Sequence, residues 1–302
     1  LAPGAGHLVH MPSHIYYRVG RYEDALEINQ RAVAADEAFF SWCRPGAFYR
    51  AAYYPHNIHF LWSAAGVEGR SELAITTSRK LAAETADGLA DMPFLQEFQA
   101  IPLLTLVRFG RWDSVLGEPA PADEHVYLTG IWHYARGMAF VRTGRTAEAR
   151  AELDALTAAA ADPRSESLLL AGGTASARSL LEIGSAHLDG EIAYAQGNVD
   201  AAVASLETAV SREAALVYME PPPWYAPTRH SLGAVLLSAG RASEAETVFR
   251  ADLDKFPKNG WALFGLSRSL EAQGRDADAA WARQGFETAW ARADVELETS
   301  RF

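Results

Sequence analysis

Three histidines, His7, His10 and His14, fall within eight residues near the start of the chain, in GHLVHMPSHIYYRVGRYEDA (residues 6–25). Two more, His56 and His59, stand in YPHNIHFLW. Spacings of three and four residues put side chains on one face of a helix, and two imidazoles one turn apart form a two-point chelate. Neutral imidazole is the commonest protein ligand for transition metals. An all-histidine donor set favours copper or zinc, and iron if a carboxylate such as Glu97 or Glu191 joins it. An open position on such an ion permits oxidative or hydrolytic chemistry. One histidine alone is more often a hydrogen-bonding or packed residue. Five together carry the metal reading, because unliganded imidazoles repel one another once protonated.

These side chains act together only if neighbouring helices hold them. Gly-Arg with Ala five places after the Gly recurs at Gly20/Ala25, Gly69/Ala74, Gly144/Ala149, Gly240/Ala245 and Gly274/Ala279. GNVDAA (Gly197 to Ala202) repeats the pattern with Asn, and GRWDSV (Gly110 to Val115) is a looser copy. Successive glycines lie 49, 41, 34, 53, 43 and 34 residues apart, so a base unit of 34 carries insertions. Glycine allows a tight turn between two helices, and the small residue after it lets them approach closely. Alanine is abundant and β-branched residues are scarce, which favours helix. The spacing predicts one all-α domain over residues 1–302, with helix-turn-helix repeats near 6–40, 55–90, 96–120, 130–160, 183–217, 226–258 and 260–293. Ser41–Tyr54, Ala160–Arg178 and Glu220–Pro227 read as loops between repeats. Loops of that length are generally functional or disordered, and the aromatics in the first and third argue against disorder.

The period, and the turn residues Gly20, Tyr22 and Ala25 followed by Ala32, resemble the tetratricopeptide repeat; Gly197, Ala202 and Ala209 match in the same way. The resemblance covers nearly the whole chain. It implies an α-solenoid of about seven repeats, forming a right-handed superhelix whose concave groove takes a small molecule or a peptide. It also implies that the second, fifth and ninth positions of each repeat's first helix face the groove. His7, His10 and His14 hold those positions in the first repeat, and His56 and His59 hold two of them in the second. Glu97 holds one in the third, His187 and Glu191 two in the fifth, and His230 one in the sixth. Seven of the nine histidines therefore face inward, His125 and His133 excepted.

By the same resemblance seven repeats nearly close one superhelical turn, so late repeats face the first two. Glu220, Trp224, Tyr225, Arg229, Trp261 and Arg268 are further groove candidates beside His187, Glu191 and His230. His187 and Glu191, four apart, suit a ligand with its orienting carboxylate, an acid/base pair or a plain helix-face hydrogen bond. The stiff PPPW segment positions Trp224 and Tyr225, as pocket walls or as packing between repeats. Pro12 predicts a kink or a restart in the first helix. GHLVHMPSHIYYRVGRY, HNIHFLW and EPPPWYAPTRHSLG further resemble a largely uncharacterised bacterial group of tetratricopeptide proteins with a His-rich HxxHMPSH motif. In that group more histidines stand upstream, so the resemblance implies a chain trimmed at its LAPGAG start and a ligand set that continues beyond it.

Composition narrows the partners. A net charge of −11 with no basic run argues against nucleic acid and against an anionic membrane surface. No stretch of apolar residues is long enough to span a membrane, which leaves a soluble chain of cytoplasmic or periplasmic location. The single cysteine, Cys43, excludes an internal disulfide and a thiolate zinc cluster, and reads as a buried structural residue. There is no P-loop, Rossmann fingerprint or nucleophile elbow. Two functions stand. One is a metal-binding solenoid, with or without catalysis on a small molecule or peptide. The other is a non-catalytic interaction scaffold whose histidines hydrogen-bond a peptide or sense pH.

Overall fold

Each Gly-Arg turn closes a pair of antiparallel helices. In the computed structural model, which describes residues 4–44, 46 and 48–302, the first pair is α1 (Gly6–His10) running into α2 (Pro12–Arg18), against α3 (Tyr22–Trp42). The following pairs are α4 (Tyr54–Val67) with α5 (Ser71–Thr85), α6 (Gln96–Arg108) with α7 (Trp112–Gly117), and α8 (Val126–Arg142) with α9 (Thr146–Ala161). After the short α10 (Pro163–Ser167) come α11 (Ala177–Ala195) with α12 (Val199–Ala214), α13 (Arg229–Ser238) with α14 (Ala242–Lys255), and α15 (Gly260–Ala272) with α16 (Asp276–Ala289). This is an all-α solenoid of the tetratricopeptide type.

The turn chemistry follows from the sequence. Gly20, Gly69, Gly110, Gly144, Gly197, Gly240 and Gly274 all take positive φ, between 63° and 78°, where a side chain is strained. The small residues five places on, Ala25, Ala74, Ala149, Ala202 and Ala245, have no exposed surface, nor does Val115 at the looser copy. A larger residue there would push the paired helices apart.

Two of the three stretches expected as loops are largely regular. In the first, α3 runs on to Trp42, and a π-helical turn, Tyr49–Tyr53, leads straight into α4. Pro45 and Ala47 of that stretch, like Leu1–Pro3 of the LAPGAG start, lie outside the described residues. In the second, α10 is followed by a two-residue hairpin pairing Leu169–Leu170 with Ala175–Ser176. Cys43, expected to be buried, is exposed, because it lies just past the end of α3 where nothing packs over it.

The solenoid closes on itself. Trp261, fully buried on α15, donates its indole N–H to the Gly66 carbonyl on α4 at 3.1 Å. One apolar cluster joins Ala25, Leu26, Ile58 and Trp62 of the first two repeats to Trp261 of the last. The segment after α16 then crosses the turn ends of earlier repeats. The Asp294 carboxylate accepts the free backbone N–H groups of Ser71 (2.6 Å) and Glu72 (3.0 Å) at the start of α5, a cap supplied from more than two hundred residues away. Further on, Ser300 donates to the His230 carbonyl at 2.9 Å, and Arg142 donates to the Phe302 carbonyl at 2.9 Å.

Two turn glycines separate backbone strain from closure. Both Gly20 and Gly144 have φ near +75°, but a Cβ on Gly20 would lie 2.1 Å from the Pro257 carbonyl oxygen, whereas one on Gly144 would meet nothing within 4 Å. Gly144→Ala is expected to cost about 1–2 kcal/mol through φ alone, and Gly20→Ala distinctly more. Urea unfolding of both variants checks this, and equal costs would argue against the contact between the first and sixth repeats.

Candidate metal centre

Pro12 is where the histidine segment is set. Lacking an N–H, it ends α1 and occupies the first position of α2. Met11 between them keeps helical angles (φ −48°, ψ −38°), so the helix restarts without turning away. His10 and His14 therefore remain one turn apart on one face. α4, packed beside this segment, supplies His56. One ring nitrogen each from His10, His14 and His56 lies within 4.8 Å of the others. Ring centroids are 4.8 Å apart for His10–His14, 4.8 Å for His10–His56 and 5.6 Å for His14–His56. Phe60, fully buried one turn after His56, forms the floor, with its ring 4.7, 4.6 and 5.1 Å from the three imidazoles.

Neighbouring groups fix the tautomers. Asn29 on α3 donates its amide N–H to the Ala25 carbonyl (2.6 Å), which turns its oxygen toward His10 Nδ1 at 2.7 Å. That oxygen only accepts, so His10 carries its proton on Nδ1 and presents a lone pair at Nε2. Glu220 reaches in from the segment between α12 and α13 and accepts from His14 Nδ1 at 2.8 Å; its other oxygen is bound by the Tyr218 hydroxyl. His14 thus also presents Nε2. The two Nε2 atoms face each other at 3.0 Å.

Burial and the neighbouring imidazoles favour the neutral rings of His10 and His56. His10 is pushed down to about 4, first by burial and then by His14 and His7, with Asn29 working the other way. His56 is lowered further, by burial and by His10. His7 stacks on His10 at 5.2 Å and lies 6.0 Å from His56, at the rim; its Nδ1 is buried without a hydrogen-bond partner.

The other candidates are placed elsewhere. His59 is buried and stacked flat on Trp62 (5.2 Å, 15°), with Phe98 at its edge, apart from the three converging nitrogens. Glu97 accepts the Ala171 N–H at 2.7 Å, turned toward the hairpin rather than the histidines. His187 bridges the Tyr134 hydroxyl (2.9 Å) and the Ser231 hydroxyl (2.7 Å). Glu191 is buried between Arg142 (3.0 Å) and Arg301; burial opposes its ionisation, but the two guanidiniums prevail and hold it well below the carboxylate range. His230 lies between Asp252 and Arg108, 3.1 Å from each.

Trp224 is core, packed on Tyr134 at 5.4 Å, and Tyr225 bonds the Tyr134 hydroxyl at 3.0 Å. Arg229 is half-buried, with one guanidinium nitrogen lacking a partner. Arg268 is exposed and pairs with Glu271 of its own helix at 2.9 Å, outside the groove. Sequence reasoning missed Asn29 and Phe60. Asn29 was findable, as a polar residue inside the buried stripe of Ala25, Leu26, Ala32 and Val33. Phe60 carries no signal that sets it apart from any other core aromatic.

A tetratricopeptide-repeat family model matches residues 231–285, which span the sixth and seventh helix pairs. No curated protein matches the chain. No helix is long and apolar enough to cross a membrane, among the described residues.

Glu97 gives a pH test. Burial raises its carboxyl to about 7, against the partial relief of the Ala171 N–H. The folded state therefore holds its proton more tightly than the unfolded chain. That contribution is complete below the ordinary carboxylate range and is lost as pH rises through about 7. Glu97→Gln is expected to gain stability relative to the parent between pH 5 and pH 8, read as a widening gap in urea midpoints. An unchanged gap would mean that the carboxyl titrates normally.

Proposed function

We propose that this solenoid holds a transition-metal ion on its inner face, on Nε2 of His10 and His14 and one ring nitrogen of His56. The observation that carries the reading is the 3.0 Å approach of two Nε2 atoms whose Nδ1 protons are already committed to Asn29 and Glu220. Two lone pairs do not sit face to face unless a cation stands between them. A second proton on His10 is disfavoured by its burial and by the imidazoles of His14 and His7 beside it. A metal ion resolves the contact directly. Two nitrogens at about 2.0–2.1 Å from one ion are separated by about 2.9–3.4 Å for bond angles from square to tetrahedral.

The donor set fits zinc or copper. Three imidazoles leave a fourth position for water or a substrate atom, the arrangement of a catalytic rather than a closed structural site. Asn29 and Glu220 orient the ligands and raise their basicity, as hydrogen-bond partners of metal-bound histidine commonly do. The scaffold role that repeats of this type serve supplies the frame for the site.

Protein purified without an affinity tag is expected to contain close to one equivalent of zinc or copper by elemental analysis. His10→Ala and His56→Ala should lose it, while His59→Ala, outside the converging nitrogens, should retain it. Glu220→Gln should weaken metal affinity about 10- to 100-fold. Metal-depleted protein should gain thermal stability on adding zinc or copper, by about 2.7 kcal/mol at a hundredfold excess over Kd. Metal-free protein whose melting ignores both ions would leave the chain an interaction scaffold alone.

A further inference from the structure

A second polar centre lies inside the ring, on the far side of Tyr17 from the histidines. A cavity there is walled by Tyr17, Trp62, Phe109, Trp224, Tyr225 and Phe256, and Arg108 of α6 lines it. Its free space is about 30 Å³, more than the ~10–15 Å³ that admits one water and enough for a group of a few atoms.

Arg108 is held but not neutralised. Its guanidinium lies 3.7 Å over the Trp261 ring, a stacking that fixes its plane. One N–H is donated to His230 Nδ1 at 3.1 Å. Arginine only donates, so His230 must accept at Nδ1 and carry its proton on Nε2, which it gives to the buried Asp252 at 3.1 Å. Asp252 therefore acts on Arg108 only through an intervening neutral ring. Among the described residues, no carboxylate lies within ion-pair distance of the guanidinium.

Glu213 also lines the cavity, but one of its oxygens is taken up by the N–H and O–H of Thr228, both at 2.7 Å, and burial pushes its carboxyl up toward the neutral form. A guanidinium has five N–H donors; Arg108 lines the cavity and uses one of them on His230. A cation in such surroundings is strongly stabilised by a desolvated partner of opposite charge. The chain as a whole is acidic, at −11, so long-range attraction does not draw an anion in; only this local geometry selects one.

We propose that the Arg108 cavity is a binding site for a small monovalent anion, a halide or a one- or two-carbon carboxylate. Formate and acetate, the smallest carboxylates, are the organic probes. The site is independent of the histidine cluster and stands whether or not a metal binds there.

The test uses the full chain. Sodium formate, sodium acetate and sodium bromide are titrated separately at constant ionic strength, with tryptophan fluorescence as the readout, because Trp62 and Trp224 line the cavity and Trp261 stacks on Arg108. A saturable change is expected with at least one probe. Arg108→Met, which keeps contact with Trp261 but carries no charge, should bind about 10- to 100-fold more weakly. Glu213→Gln should bind about as tightly as the parent, because that carboxyl is held by Thr228 and pushed toward its neutral form. No saturable response to any probe, or equal affinity in Arg108→Met, overturns the proposal. If Arg108→Met does not fold, crystals of the native protein soaked in bromide decide: an anomalous peak against the Arg108 guanidinium supports the site, and its absence refutes it.

Discussion

Closure of the solenoid is the constraint on which the rest depends. In an open array each repeat touches only its neighbours, and stability is a sum over adjacent interfaces. Here Trp261 binds the Gly66 carbonyl, carries Arg108 on its face and meets Trp290 and Phe302 at its edges, at ring distances of 5.2 and 5.7 Å. The first and last repeats thereby share one core. Asp294 fastens the same junction by capping α5, and Arg292 pairs with Glu23 at 2.6 Å on its outer side. Without closure, Glu220 would not reach His14, and Arg108 would not reach His230.

Inside the ring, polar groups are segregated by how they tolerate burial. Around His10, His14 and His56 the protein gathers groups that can shed their charge, and burial does push His10 and His56 toward neutrality. Around Arg108, Arg142 and Arg301 it gathers groups that stay charged, and partners them with Asp252 and Glu191, directly or through a histidine. Tyr17 separates the two. Its ring packs against Phe60 beneath the histidines at 5.8 Å, and its hydroxyl bonds Ser63 at 2.9 Å on the cavity side. Burial raises that phenol to about 12, so it stays neutral and adds no charge to either neighbour.

The orienting groups explain why His10 and His14 turn toward one another when more histidines are present. His10 and His14 each have an acceptor on Nδ1, so their Nε2 atoms are turned toward each other. His59 has an indole face instead, which holds the ring flat within the core. Ring count and helix spacing treat these residues alike; the atoms behind each ring distinguish them.

The repeat itself was legible because its signals are local. A turn that needs positive φ demands Gly at Gly20, Gly69 and their counterparts, and a close helix pair demands a small residue five places on. Both requirements act within a few residues, so they recur in the letters of the sequence. The helical phase of His7, His10 and His14 was legible for the same reason, as was the restart at Pro12. What the sequence could not carry is which distant atoms back each side chain. Glu220 meets His14 across 206 positions and Asp294 caps α5 across 223, and no periodicity encodes such pairs. The exposed place of Arg268 and the buried aromatic role of His59 were decided likewise, by how much each helix face is covered once the ring is closed. Sequence alone determined the helix-turn-helix unit and the helical phase of its histidines. Tertiary structure decided which inward residues meet, because that depends on the accumulated rotation of seven stacked pairs rather than on the geometry of any one.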